Sequence, residues 1–224
     1  SKIIAPLKAY LQEKLYKSDE YLEPISNIRH ISIRIAYNTG QVLITIISRK
    51  YYNLFKRVAL DWLNLWPEVV GINLNLQNQS NNVIFGKKTI PLVGKNYVEE
   101  SFCNLMFHIS SNTFFQINTV KAEMIVDHIS KSFLKCNSIN RIVDSFCGIG
   151  AISLPLSKYG LDIIGIEINQ DSVSQARTNA YINNITNVDF LLGDANKLLN
   201  TYIDNNCGLI IDPPRKGIDA DLLR

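Results

Sequence analysis

Apolar residues recur at helical spacing from Ile3 to Leu15, where Ile4, Leu7, Leu11 and Leu15 fall on one stripe of an amphipathic helix. The period then changes to two. Ile31, Ile33 and Ile35 alternate with Ser32 and Arg34, Asn38-Thr39-Gly40 supplies a turn, and Val42 to Ile47 reads as a second strand, so a β-hairpin is predicted. Helical spacing returns from Tyr51 to Trp66 and stops at Pro67, and Val69 to Leu76 reads as a further strand ahead of a polar loop, Gln77 to Asn82. Short strands through Ile90 to Val93 and Leu105 to Ile109 complete an α+β front half without internal repeats.

From Asn118 onward the pattern becomes an alternation of helix and strand. A helix from Val120 to Phe133 leads to strand Arg141 to Asp144, the glycine turn Cys147-Gly148-Ile149-Gly150, and a helix reaching Lys158. Strand Asp162 to Ile166, a helix from Gln170 to about Asn183, strand Val188 to Leu192, a short helix to Tyr202 and strand Cys207 to Ile211 follow. Such alternation predicts a parallel sheet with right-handed crossovers. The expected division is an α+β domain over 1–115 and a Rossmann-like α/β domain over 116–224, carrying its first four strands.

Composition sets outer limits. With 46% hydrophobic and 19% charged residues, the chain lies in the globular range, and a disordered or low-complexity protein is excluded. No apolar run reaches the roughly 18–20 residues of a membrane helix, and no basic-then-apolar leader is visible, so a cytoplasmic location is the expectation. The net charge of +3 conceals an uneven split. Residues 1–120 hold 13 Lys/Arg against 8 Asp/Glu, and residues 121–224 hold 10 against 12. A basic front half and a slightly acidic back half suit a polyanion-facing module joined to one with another task. The four cysteines form no CxxC pair and the three histidines have no ligand at metal-binding spacing, so no metal site is expected.

Candidate chemistry gathers at the glycine turn. A dinucleotide site requires G-x-G-x-x-G, but Gly148 and Gly150 are followed by Ser153 where the third glycine belongs. Asp144, directly before the turn, would repel a pyrophosphate and attract an ammonium group. Glu167, at the tip of the second strand, can accept from both hydroxyls of a ribose, and Asp194 can accept from an adenine amino group. An ammonium, a ribose diol and an adenine together describe S-adenosyl-L-methionine. Asp212-Pro213-Pro214-Arg215 closes the fourth strand, where two prolines stiffen the backbone and hold the carboxylate in the ligand crevice. Arg215 occupies the place where amine-methylating enzymes often carry an aromatic ring, which disfavours amine methylation and suits contact with phosphate or a base edge.

Taken in order, five segments resemble the RNA (uracil-5-)-methyltransferase family, which modifies ribosomal or transfer RNA. They are Phe114-Phe115-Gln116-Ile117-Asn118, Asp144-Ser145-Phe146-Cys147-Gly148-Ile149-Gly150, Glu167-Ile168-Asn169, Gly193-Asp194-Ala195 and Asp212-Pro213-Pro214-Arg215-Lys216-Gly217. Ile28-Arg29-His30 and Asn38-Thr39-Gly40 are similar to that family's central region. By the resemblance, Gln116, Phe146, Glu167 and Asp212 line the pocket for cofactor and target, and Phe114 and Phe115 are candidates to seat a flipped base, with plain core packing expected for one of the two. Phe114, Gln116, Asp212 and Arg215 are the candidate substrate contacts.

The resemblance also implies a mechanism in which a cysteine adds to uracil C6, and it gives Cys147 no part in that step. The family's nucleophile stands in a Ser-Cys-Asn-Pro-like segment after the fifth strand, with a glutamate base further on, so both are expected after Arg224. An amino-terminal RNA-binding barrel and, in some members, an iron–sulfur cysteine cluster are likewise expected outside these residues. Ribosomal RNA (23S) is favoured over transfer RNA. The alternatives are an RNA methyltransferase acting on cytosine C5 or an exocyclic amine, and a non-catalytic RNA-binding protein.

Overall fold

The computed structural model describes residues 3–79, 81–136, 138–214 and 217. By contact the chain divides into two compact units, one of residues 1–98 with 110–112 and one of residues 99–109 with 113–224. The change of sequence pattern near residue 116 therefore falls inside the second unit.

The first unit opens with α1 (Ile4–Lys17), a single 3-10 turn (Asp19–Tyr21) and α2 (Leu22–Ser26). Next come β1 (Ile28–Ile35), β2 (Val42–Ser48), α3 (Leu54–Leu65), β3 (Val69–Leu76) and β4 (Lys88–Gly94). The strands form one sheet in the order β1-β2-β3-β4. β1 and β2 are the expected antiparallel hairpin, whereas β2 and β3 run parallel because α3 carries the chain back across the sheet. One face of the sheet packs on α1 and α3 through Ile44, Ile46, Ile72, Phe55, Val58 and Trp62.

The buried stripe of α1 keeps the expected Leu7 and Leu11 but starts at Ile3 rather than Ile4. Ile3 and Leu7 are buried and Ile4 is 56% exposed, while the side chain of Leu15 lies outside the described residues. Tyr10 and Leu11 continue this face, and the Tyr10 ring meets Trp62 edge-on at 6.1 Å between centroids. That contact sets the rotation of the helix.

A two-stranded hairpin, β5 (Tyr97–Phe102) and β6 (Leu105–Ser110), precedes the second sheet. Cys103 and Asn104 both take positive φ at its tip. Phe102 and Phe107 pack against Phe115, with centroid separations of 5.3 and 6.0 Å, and the Cys103 N–H donates to Glu123 at 2.8 Å. These contacts bind the greater part of the hairpin to the second unit.

The second unit continues with α4 (Thr119–Leu134), β7 (Arg141–Ser145), α5 (Ser153–Ser157), β8 (Asp162–Glu167) and α6 (Gln170–Ile182). It ends with β9 (Val188–Leu192), α7 (Ala195–Tyr202) and β10 (Cys207–Ile211). All four strands are parallel, in the order β10-β7-β8-β9. The helix expected to reach Lys158 is only five residues long, since the glycine turn holds the chain until Ile152.

β7 alternates between two cores. Ile142 joins Leu156, Ile163 and Ile210 beneath α4 and α5, and Val143 joins Ile166, Ala195 and Leu199 beneath α7. Strand order reverses beside β7, with β8 and β9 on one side and β10 on the other. Parallel sheets of this kind open a crevice at the carboxyl ends of the strands where the order reverses. Among the described residues no helix is long and apolar enough to cross a membrane.

Candidate functional site

The crevice at β7 is shaped by backbone geometry that few residues tolerate. Phe146, Gly148 and Gly150 all have positive φ, at 65°, 57° and 83°. A phenylalanine held there is strained, a condition that concentrates at ligand sites. A Cβ at Gly150 would stand 2.9 Å from the Phe190 ring and 3.1 Å from Leu154, so packing as well as φ excludes a side chain. At Gly148 a Cβ would meet nothing within 4 Å. That glycine faces open space, where a ligand can approach the backbone closely.

Glu167 braces the turn from the neighbouring strand. One carboxylate oxygen accepts from the Gly148 N–H at 3.1 Å and the other from the Asn169 N–H at 2.7 Å. Each oxygen keeps lone-pair capacity for a further donor. The chain turns away directly beyond Glu167 because Asn169 caps α6, its side chain accepting from the N–H groups of Asp171 and Ser172. Asn118 caps α4 in the same way, which fixes the approach of the Phe114-Phe115-Gln116 segment.

A cavity of about 480 Å³ lies between that segment, the glycine turn, α4 and the end of β10. Phe114, Phe115, Gln116, Phe146, Gly148 and Asp212 all line it. Three separate motifs therefore converge on one space. The two phenylalanines divide their work: Phe115 is packed at 7% exposure, while Phe114, at 66%, offers its ring at the mouth. Sequence reading missed Phe102 of the hairpin and Ile125 of α4, which also line the cavity. Ile125 could have been suspected, because α4 carries apolar residues at Val120, Met124 and Ile125 on a face left exposed.

Not every candidate reaches the cavity wall. Gly150 and Glu167 do not line it, although Glu167 is bonded to the lining residue Gly148, and Asp194 is the N-cap of α7, accepting from the backbone and side-chain nitrogens of Asn196 at 3.0 and 3.1 Å. Asp144, expected beside a cofactor ammonium, is instead buried at 1% exposure under α5. One of its oxygens accepts from the Ser153 hydroxyl at 2.5 Å, and the other has no hydrogen-bond partner. The reason is strand alternation: Asp144 shares the face of Ile142, which α4 and α5 cover. Arg215 lies outside the described residues.

Burial pushes the Asp144 carboxyl up to about 7; the nearby Asp212 and Glu167 carboxylates add to the rise, and the Ser153 hydrogen bond opposes it. An unfolded aspartate titrates near 4. Between about pH 4 and 7 the folded protein thus holds a proton that the unfolded chain has lost, so this group makes stability fall as pH rises through that window. Thermal unfolding at a series of pH values checks this. Parent protein should lose stability relative to Asp144→Asn up to about pH 7, with a constant gap above it; parallel curves throughout would show that the carboxyl is ionised in the fold.

The Cys147 thiol also borders the cavity, but burial first and then the Asp144 and Glu167 carboxylates push its pKa well up. Cys103 is pushed up to about 11, chiefly by burial. Neither is a thiolate at neutral pH. Among the described residues no group of three His, Cys, Asp or Glu side chains could hold a metal ion.

A family model described as a methyltransferase domain matches residues 137–214. The second unit has the Rossmann-like methyltransferase fold. An uncharacterized RNA methyltransferase of Parasynechococcus marenigrum is 39% identical over 222 residues, covering 99% of this chain and 48% of that protein. One from Synechocystis is 40% identical over 198 residues, covering 88% of this chain and 42% of that protein. The chain thus spans about half the length of the curated relatives it matches. Among solved structures, the Pyrococcus abyssi tRNA (uracil-54, C5)-methyltransferase in complex with S-adenosyl-L-homocysteine superposes with a TM-score of 0.70 at 22% identity, covering 88% of this chain and 45% of that one. At that identity the likeness is one of fold.

Proposed function

We propose that the protein transfers a methyl group from S-adenosyl-L-methionine to C5 of uracil in RNA, with 23S ribosomal RNA favoured over transfer RNA. The observation that carries this reading is the convergence of Phe114, Gln116, Phe146, Gly148 and Asp212 on one cavity at the strand-order switch. The names of the relatives support RNA as the substrate class.

The methyl donor is S-adenosyl-L-methionine, which supplies an electrophilic methyl on a sulfonium. Glu167 would take the ribose hydroxyls on its free lone pairs, and Gly148 would let the cofactor lie against the backbone. The apolar cavity wall from Phe146 to Ile149, with Ile125 of α4, would keep water from a bound sulfonium. Phe114 supplies a stacking face for an unstacked uracil, since an exposed ring accepts any base. Gln116 and Asp212 stand within the same space as polar contacts for the base edge.

Uracil C5 becomes nucleophilic when a thiolate adds to C6. C5 then takes the methyl, a base removes the C5 proton, and the thiolate leaves. Cys147 and Cys103, held as thiols, do not supply that thiolate.

Mass analysis of nucleosides tests the reading. RNA treated with the native-length protein and methyl-deuterated S-adenosyl-L-methionine should yield labelled 5-methyluridine. Labelled 5-methylcytidine or an N-methylated purine would refute uracil C5 as the target.

A further inference from the structure

Helix α6 presents two asparagines, one turn apart, to the β5–β6 hairpin. Asn183 pairs with the main chain of Met106 much as a neighbouring strand would. Its Oδ1 accepts from the Met106 N–H at 2.9 Å, and its Nδ2 donates to the Met106 carbonyl at 2.7 Å. Asn183 also donates to the Asn179 carbonyl one turn back. Its side-chain bonds therefore go only to α6 and the hairpin, not to the glycine turn.

Asn179 is connected differently. Its Oδ1 accepts from the His108 N–H of β6 at 2.8 Å, while its Nδ2 donates to the carbonyl of Ile149 at 3.3 Å. Ile149 belongs to the glycine turn and lines the cavity, and the hairpin supplies Phe102 to the same cavity. A single amide thus joins two walls of the pocket. The residue is fully buried, so water cannot substitute for either bond, and losing one leaves a main-chain group unpaired. The joint needs an acceptor and a donor on one short side chain, a combination that aspartate lacks when ionised and leucine lacks altogether.

We propose that Asn179 is a positioning residue for the cofactor, holding the glycine turn in register with the hairpin so that Gly148 and Phe146 meet the ligand in a fixed arrangement. The proposal rests on reading this cavity as the S-adenosyl-L-methionine site. It is independent of Asn183, which anchors the hairpin without touching the turn.

Asn179→Asp separates the two bonds, because it keeps an acceptor for the His108 N–H and sets a carboxylate oxygen against the Ile149 carbonyl. The full chain is compared with Asn179→Asp and with Asn183→Ala by calorimetric titration with S-adenosyl-L-methionine, by thermal unfolding, and by hydrogen exchange at the amides of 147–151 without cofactor. Asn179→Asp should weaken binding at least tenfold and speed exchange at 147–151 at least tenfold. Asn183→Ala should lower the melting temperature by a comparable amount, yet leave affinity within twofold and exchange at the turn unchanged. Should Asn179→Asp fail to fold, Asn179→Ala, which brings no charge, is measured by the same criteria. Parental exchange at the turn in the Asn179 variants, or equal effects from Asn183→Ala, would overturn the proposal. If the parent fails to bind S-adenosyl-L-methionine while exchange still separates the two sites, the cofactor reading fails and the tie between turn and hairpin stands.

Discussion

Glu167→Ala is expected to weaken S-adenosyl-L-methionine binding about 100-fold, measured by calorimetric titration. The carboxylate braces the Gly148 and Asn169 N–H groups and, on the proposed reading, takes two ribose hydroxyls as well. A hydrogen bond to a charged acceptor contributes about 1.5–3 kcal/mol. Two such bonds give about 3 kcal/mol or more, and every 1.4 kcal/mol is about tenfold in affinity. Glu167→Gln keeps one acceptor oxygen and should fall between the variant and the parent. A loss below about threefold in the alanine variant would remove Glu167 from the cofactor site.

The largest effect on stability is expected at Trp62, in the first unit. Its ring is fully buried in the core between α3 and the sheet, edge-on to Tyr10 and 6.3 Å from Trp66. Trp62→Ala removes that ring and leaves a cavity, at a cost of about 3–5 kcal/mol. Set against a total of about 5–15 kcal/mol for a folded domain, this should be a large part of the unit's stability. Urea unfolding followed by tryptophan-independent far-ultraviolet dichroism measures it. Leu60→Ala, on the exposed side of the same helix, should change stability by no more than about 0.5 kcal/mol. A cost at Trp62 as small as that at Leu60 would contradict the placement of the core.

Much of this architecture is legible in the sequence because it is written in local patterns. The alternation Arg141 to Ile211 gives the parallel sheet, and the hairpin at Asn38-Thr39-Gly40 follows from turn chemistry. The glycine turn and the Phe-Phe-Gln segment announce a site, and the cavity brings both together. Three motif residues turn out to cap helices: Asn118, Asn169 and Asp194 each hold the first turn of the helix that follows. Sequence spacing marks them as special without separating a cap from a ligand contact.

Other features depend on long-range contacts that no local pattern encodes. Asp144 looked like a cofactor contact because it precedes the turn, yet the side chain's destination is decided by which face of β7 it shares, and α5 closes that face. The hairpin around Phe102 is held by Phe115, Glu123 and α6, partners from 8 to more than 70 residues away. Asn179 has the same character. Nothing around it in sequence marks it, and only the fold brings His108 and Ile149 to its two ends.

Methylation at C5 is distinguished from methylation elsewhere by the fate of one hydrogen. RNA carrying tritium at uracil C5 is incubated with the native-length protein and S-adenosyl-L-methionine, and tritium released to water is counted against methyl groups incorporated. Uracil C5 chemistry requires one tritium released for each methyl transferred. Methyl transfer with the tritium retained in RNA would contradict it.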